Sequence, residues 1–272
     1  MRKLIPFSLI VLLLAATYSC KNKAHENEEK TTSEQLKIVS LTPSITKQLN
    51  LLGVQDFVVG HTTYCPAQNL GNSETVASAT EVNVEKIATL QPDIVLVSTL
   101  TREKVIKNLR KLGLKVRYLD MPRSYDQICN QFIEIGKIVH KKKLAISIVQ
   151  QQRTKLDSIQ ARIPEGEPLK YFIEIGANPL FAATSDSFMH DYITFVKGEN
   201  IASGLKSGTI SRESVLVKNP DVIIIVTMGI VGKEEKEIWS GYPNLSANQK
   251  DNIFILNSDK ACSPTPISFV EI

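Results

Sequence analysis

Four cysteines, four histidines and two glutamates in matched surroundings are the residues of this chain with distinctive chemistry to offer. Cys20 closes the stretch Ala16-Thr17-Tyr18-Ser19-Cys20, which follows an apolar run. Small residues just ahead of a cysteine resemble the site where an export signal is cut and the sulfur carries lipid, although Tyr18 stands where a small residue is usual. A plain secretory signal with an incidental cysteine is the alternative. Cys65, Cys129 and Cys262 remain, an odd number that cannot all pair. No Cys-x-x-Cys occurs, so a zinc or dithiol redox site has no support in the spacing. His61 and Tyr64 could ligate a metal from one loop, though a lone loop histidine more often serves as a hydrogen-bonding or surface residue. His140 and His190 fall on predicted helices and read as structural, and His25 lies in a polar stretch that requires no function of it. Scattered histidines argue against a zinc or manganese centre, which gathers several ligands on one ion.

The elements that must position these residues begin with the first segment. Arg2 and Lys3 precede an apolar run from Leu4 to Ala16, too short to span a bilayer and suited to a signal peptide over residues 1–20. Residues 21–36 are polar, lack apolar periodicity and read as a flexible tether. In the whole chain of 272 residues, 43% are apolar and 22% charged with both signs mixed, as in a folded body. The formal charge of +4 falls to +2 without Arg2 and Lys3, too little to argue for nucleic acid or a membrane surface.

From Lys37 onward, short apolar strands alternate with helices. Strands are expected at 37–41, 57–60, 94–97 and 115–119, and helices at 42–52, 84–90, 102–112 and 124–139. Such alternation implies a parallel sheet covered by helices on both faces. Residues 140–162 hold no Gly or Pro and are dense in Lys, Gln, Leu, Ile and Ala, which predicts one long helix ended at Pro164-Glu165-Gly166. The alternation then resumes, with strands at 171–175, 222–226 and 253–256, helices at 187–196 and 213–217, and a closing helix from Ile267. The chain thus divides into a first lobe at 37–139, a bridging helix at 140–163 and a second lobe at 164–272.

A repeat links the halves. Asn83-Val84-Glu85 leads to Gln91-Pro92-Asp93 and the run Ile94–Val97, and Ser211-Arg212-Glu213 leads to Asn219-Pro220-Asp221 and Val222–Ile225. Each copy reads as a capped short helix feeding a buried strand. Convergence on a common helix-to-strand unit is the alternative to duplication, but the matched glutamate favours duplication.

Taken in order, IVSLTPSITKQLNLLG, VVGHTTYC, VNVEKIATLQPDIVLV, IGANPLFAATSDSF, GENIA and SRESVLVKNPDVIII resemble the class III, helical-backbone substrate-binding proteins of ABC importers. The resemblance covers about residues 37–272 and is nearest to cobalamin-binding members, with receptors for ferric siderophores and haem alongside. It implies an α/β fold of two Rossmann-like lobes joined by a single long backbone helix, with a ligand cleft between them. It implies a monomer that has no catalytic site, no intrinsic cofactor and no nucleic-acid partner. A lipid anchor would hold it outside the cytoplasm, where it delivers a small molecule to a permease and, indirectly, its ATPase. A surface carboxylate on each lobe docks to permease arginines in this family; the matching positions are Glu85 and Glu213. A carboxylate in a helix's first turn is favoured by the backbone dipole and suits bidentate pairing with arginine, while a purely local role is the alternative. The closing helix stops at Ile272, short of the family's usual length.

Cleft residues of such folds sit on loops at the C-terminal ends of strands. These are Thr42, Pro43, Ser44, His61, Tyr64 and Cys65 in the first half, and Asn178, Phe181 and Ser263 in the second. Tyr64 leads them, since an aromatic face can lie on a flat macrocycle. Cys65 and Cys262 fall on opposite sides of the expected cleft, where a disulfide, metal-facing thiols and plain packing all remain open; Cys129 reads as core. Cobalamin-binding relatives often carry cleft tryptophans near positions matching Ala79 and Gly208-Thr209, and this chain has only Trp239. Trp239 with Tyr242 is either a replacement from the second lobe or core packing. The ligand expected is cobalamin or a related corrinoid, with a ferric siderophore or haem as alternative. An α/β enzyme or a structural surface lipoprotein is the rival class, but the chain shows no nucleophile elbow, Walker loop or G-x-G-x-x-G.

Overall fold

Every residue of β1 (Ile38–Ser40) and β4 (Ile94–Val97) is buried, as an apolar run in the middle of a two-faced parallel sheet requires. A computed structural model describes residues 36–65, 70–78, 81–227 and 232–272. The expected signal, Cys20, the tether through residue 35 and His25 lie outside the described residues, as does part of the loop after residue 227. Around β1 and β4 stand β2 (Val58–Thr62), β3 (Glu74–Ala77) and β5 (Val116–Tyr118), in the order β3-β2-β1-β4-β5 with every pairing parallel. The helices between them are α1 (Pro43–Leu51), α2 (Val84–Thr89), α3 (Glu103–Lys111) and α4 (Tyr125–Ile138). Gly53 and Gly113 take positive φ of 69° and 79° just past α1 and α3, closing those helices where a side chain would be strained.

Helix α5 (Lys142–Gln160) carries the chain to the second half. Its buried residues Ala145, Val149, Gln152 and Leu156 recur at helical spacing and form one inward stripe. His140 at φ 58° separates it from α4, so α5 begins two residues later than the sequence suggests. The second sheet has the order β10-β9-β6-β7, from β6 (Lys170–Ala177), β7 (Leu180–Ala182), β9 (Val222–Val226) and β10 (Ile253–Leu256), with β8 (Glu199–Asn200) also on β6. β9 and β10 run parallel to their neighbours, while β7 folds back antiparallel on β6. Among the described residues, six helices complete this half: α6 (Met189–Phe195), α7 (Arg212–Lys218), α8 (Gly232–Ser240), α9 (Ser246–Gln249), α10 (Ser258–Ala261) and α11 (Pro266–Val270).

The repeat continues into hydrogen bonds that the sequence cannot display. Asn83 Oδ1 accepts from the Lys86 N–H, and Ser211 Oγ accepts from the Ser214 N–H, each capping its helix. The aspartate of each Pro-Asp then reaches the residue at the start of an inner strand of its sheet, Lys37 just ahead of β1 and Lys170 opening β6. Lys37 N–H donates to Asp93 Oδ2 at 2.7 Å and Lys170 N–H to Asp221 Oδ2 at 3.0 Å. In return Asp93 N–H donates to the Lys37 carbonyl and Asp221 N–H to the Lys170 carbonyl. The same reciprocal bond at the same place in both sheets supports duplication of one unit.

The halves meet through more than α5. One apolar core includes Ile38, Phe132 and Val149 together with Ile193, Val226 and Phe269. Phe269 of α11 stacks on Tyr125 of α4 and on Tyr192 of α6, with ring centroids 4.4 Å apart in each case. Tyr125 N–H donates to Asp191 at 2.7 Å, and Lys47 pairs with Asp259. The bridging helix is therefore buttressed by α4 and α11, and α6 packs on these in turn.

Candidate functional site

All five strands of the first sheet are parallel, so all end at one edge. Order in the sheet reverses direction between β1 and β4, which opens a crevice beyond their C-terminal ends. A cavity of about 1140 Å³ occupies that place. Its walls follow the strand ends in turn: Thr42–Ser44 after β1, Thr62–Tyr64 at β2, Thr75–Ser78 at β3, Leu100–Arg102 after β4 and Met121 after β5. The second half contributes Cys262 and Ser263. The lining is rich in hydroxyls, and Tyr64 projects from it with 64% of its surface exposed. Thr42 Oγ1 donates to Ser98 Oγ at 2.9 Å, tying together the ends of β1 and β4 instead of capping α1.

Of the residues singled out from sequence, Thr42, Pro43, Ser44, Tyr64 and Ser263 line this cavity. His61, Cys65, Asn178 and Phe181 are not among its lining. His61 belongs to β2, which runs two residues beyond the expected end, and its ring is buried between Ser73 Oγ at 2.8 Å and Thr75 Oγ1 at 3.3 Å. Burial, aided by the charge of Lys86, lowers its pKa from the ordinary 6.5. Cys65 turns under the loop, with Sγ 3.0 Å from Thr46 Oγ1 and 3.3 Å from Thr62 Oγ1. Asn178 occupies the β6–β7 turn, and Phe181 lies in β7 packed against Gly208, where even a Cβ would come within 2.3 Å of its ring. All three described cysteines are free; Cys129 is buried in the core and burial raises the Cys262 thiol.

Trp239 is fully buried and is a core residue, not a cleft wall. Its indole N–H donates to Glu174 Oε2 at 2.7 Å, and the Arg212 guanidinium lies 4.7 Å from its ring centre. Glu235 pairs with Arg212 beside it. Sequence reading passed over Glu174 because it sits inside an apolar strand. Burial pushes its carboxyl up to about 8 against the Trp239 hydrogen bond, and the neighbouring Glu235 adds to the shift. Its Oε1 has no hydrogen-bond partner among the described residues.

Glu85 stands exposed at the rim of the cavity in the first turn of α2. Glu213 is exposed in the first turn of α7, whose C-terminus leads to the start of β9. The Glu213 carboxyl is held below its ordinary range by its own backbone N–H and by Ser211. Asp221 is held at about 2: burial opposes ionisation, but the Lys170 N–H, Lys250 and Ser246 outweigh it.

No group of His, Cys, Asp and Glu fit to hold a metal occurs among the described residues. Residues 38–259 match the model of a family described as periplasmic binding protein. The vitamin B12-binding protein of Vibrio cholerae is 26% identical over 235 residues, covering 85% of this chain and 84% of the relative. A crystal structure of the periplasmic vitamin B12 binding protein BtuF of that organism matches with a TM-score of 0.72 over 86% of this chain and 93% of the other, at 26% identity. An uncharacterised ABC transporter substrate-binding lipoprotein, YvrC of Bacillus subtilis, is 30% identical over 217 residues, covering 76% of this chain and 69% of the relative. A possible iron-binding periplasmic solute-binding protein of Staphylococcus epidermidis matches with a TM-score of 0.75 at 25% identity, over 86% of this chain and 96% of the other.

Proposed function

The chain belongs to the periplasmic binding protein family, and from that premise we propose that it is the lipid-anchored receptor of an ABC importer for cobalamin or a related corrinoid. The observation that carries this reading is the cavity at the strand ends: about 1140 Å³, lined by hydroxyls and faced by Tyr64. A corrinoid is a flat macrocycle fringed with amides. Hydroxyls can serve those amides as donors or acceptors, and the phenol ring offers a surface for the macrocycle. Glu85 and Glu213 are the carboxylates that engage permease arginines, and Cys20 carries the anchor.

A second reading is favoured by one feature of the same residue. The Tyr64 hydroxyl is an exposed oxygen donor in the cavity, and tyrosine oxygen ligates ferric haem in some proteins. The likeness to a possible iron-binding protein supports it as well. Calorimetry separates the two. On the corrinoid reading cyanocobalamin binds one to one, and Tyr64→Ala weakens it on the order of tenfold through lost stacking. Saturable binding of haemin or a ferric siderophore with none of cyanocobalamin assigns the iron reading. Unchanged cyanocobalamin affinity in Tyr64→Ala removes Tyr64 from the site.

A further inference from the structure

The formal charge of +4 conceals a strong segregation. Parallel strands place every strand start of the first sheet at one edge, opposite the cavity. Helix α4 leaves the cavity edge after β5 and ends at that far edge, where α5 begins. There Lys137, Lys141, Lys142 and Lys143 lie exposed around a shallow hollow of about 530 Å³, with His140 beside them. The same edge carries Lys37 ahead of β1, Arg110 and Lys111 at the end of α3, and Lys115 ahead of β5, all exposed. Against these eight cations, the described residues of this edge hold the acids Asp56, Asp93 and Glu74 at the start of β3, and Glu74 is already paired with Lys86. Asp93 already accepts the Lys37 N–H. None of the eight is ion-paired among the described residues.

Two exposed leucines sit among these cations. Leu144 lines the lysine hollow and is 43% exposed, and Leu112 follows α3 and is 54% exposed. Lysines surrounding isolated apolar side chains suit an anionic lipid surface, which takes the charge at the headgroups and the leucine at the acyl boundary. Nucleic acid would reward the charge but not the leucines. The compact unit Leu36–Ile272 also starts at this edge, ahead of β1.

We propose that this basic edge of the first lobe is a docking surface for anionic membrane headgroups. The proposal rests on the reading above only in taking the protein to be held at a membrane. Glu85 lies at the opposite edge, beside the cavity. A molecule resting on headgroups by its lysines therefore presents its cavity away from the membrane, open to solute. Engaging a permease through Glu85, on the cavity's own edge, then requires the body to turn over, so the face turned to the membrane differs between capture and delivery.

The test is cosedimentation of the full chain carrying Cys20→Ser, which separates the question from lipidation. Neutral vesicles are compared with vesicles of about 30% phosphatidylglycerol, at low salt and at about 0.5 M salt, where screening is strong. One variant combines Lys137→Glu, Lys141→Glu, Lys142→Glu and Lys143→Glu. A charge-matched control carries Lys104→Glu, Lys155→Glu, Lys206→Glu and Lys218→Glu, all exposed elsewhere. Both share the same N-terminus, so its own lipid affinity cancels between them. The proposal expects salt-sensitive preference for the anionic vesicles, reduced on the order of tenfold or more in the patch variant and largely kept in the control. Equal loss in the two variants, or no anionic preference in the parent, overturns it. Retention on heparin without vesicle binding also overturns it and assigns the edge to a soluble polyanion. Mass spectrometry of the exported native chain reports lipidation separately, so failure of that reading leaves this result interpretable.

Discussion

Glu174 shows how a single residue can be invisible in a sequence and decisive in a fold. It interrupts an apolar strand, is fully buried, and is bonded to the indole of an equally buried Trp239. Its carboxyl stands at about 8 in the folded protein against an ordinary 4.5, chiefly through burial. The raised value means that folding favours the protonated form. The stabilisation from this group is therefore complete below about 4.5, declines as pH rises, and is gone above about 8. Thermal denaturation should show stability falling across that window, and Glu174→Gln, a neutral isostere, should flatten the fall. A wild-type profile that instead rises from pH 5 to 8, with no change in the Gln variant, contradicts this account. The neighbouring residues show what spacing reveals and what it hides. Thr42, Pro43, Ser44, Tyr64 and Ser263 were legible because the ends of parallel strands are where loops gather. His61 was misplaced because β2 continues to Thr62, and an error of two residues moves a side chain from loop to sheet interior.

At the scale of elements, the apolar central strands and the helices stopped by glycine were readable because burial on both faces and positive φ each leave a compositional mark. β3 was missed because Glu74-Thr75-Val76-Ala77 is half exposed at the sheet edge and carries little apolar signal. α8 was missed because its sequence GKEEKEIWS is dominated by charge, although Glu235 and Trp239 are buried. The repeat was visible as residues, but its reciprocal Lys37–Asp93 and Lys170–Asp221 backbone bonds needed coordinates. That repeat sets Glu85 and Glu213 in the first turns of equivalent helices, exposed and outside the core. Changing both to Ala should abolish ligand uptake by cells while leaving ligand affinity in solution within about twofold, since exposed surface changes rarely disturb a fold. Normal uptake in the double variant would remove the docking role.

For the whole molecule, the two halves behave as parts of one packed body. α5 was expected as the sole link; α4 of the first half also packs against α6 and α11 of the second, through the Tyr125–Phe269–Tyr192 stack and the Tyr125–Asp191 bond. Large hinge motion would break this packing, so ligand capture relies on small adjustments around a largely formed cavity. The charge of the whole molecule was a poor guide to its surface, because a sum cannot show that one edge of one lobe is basic. In the proposed function, ligand occupies the space between the first sheet's strand ends and the Cys262–Ser263 loop. The direct measurement is a calorimetric titration with cyanocobalamin, haemin and a ferric siderophore of the wild type, of Ser263→Trp, which fills that space, and of Val217→Trp, which adds the same bulk at a site 86% exposed elsewhere. The expected result is saturable one-to-one binding of one of these ligands, lost in Ser263→Trp and retained in Val217→Trp. Undiminished binding in a folded Ser263→Trp protein would contradict it.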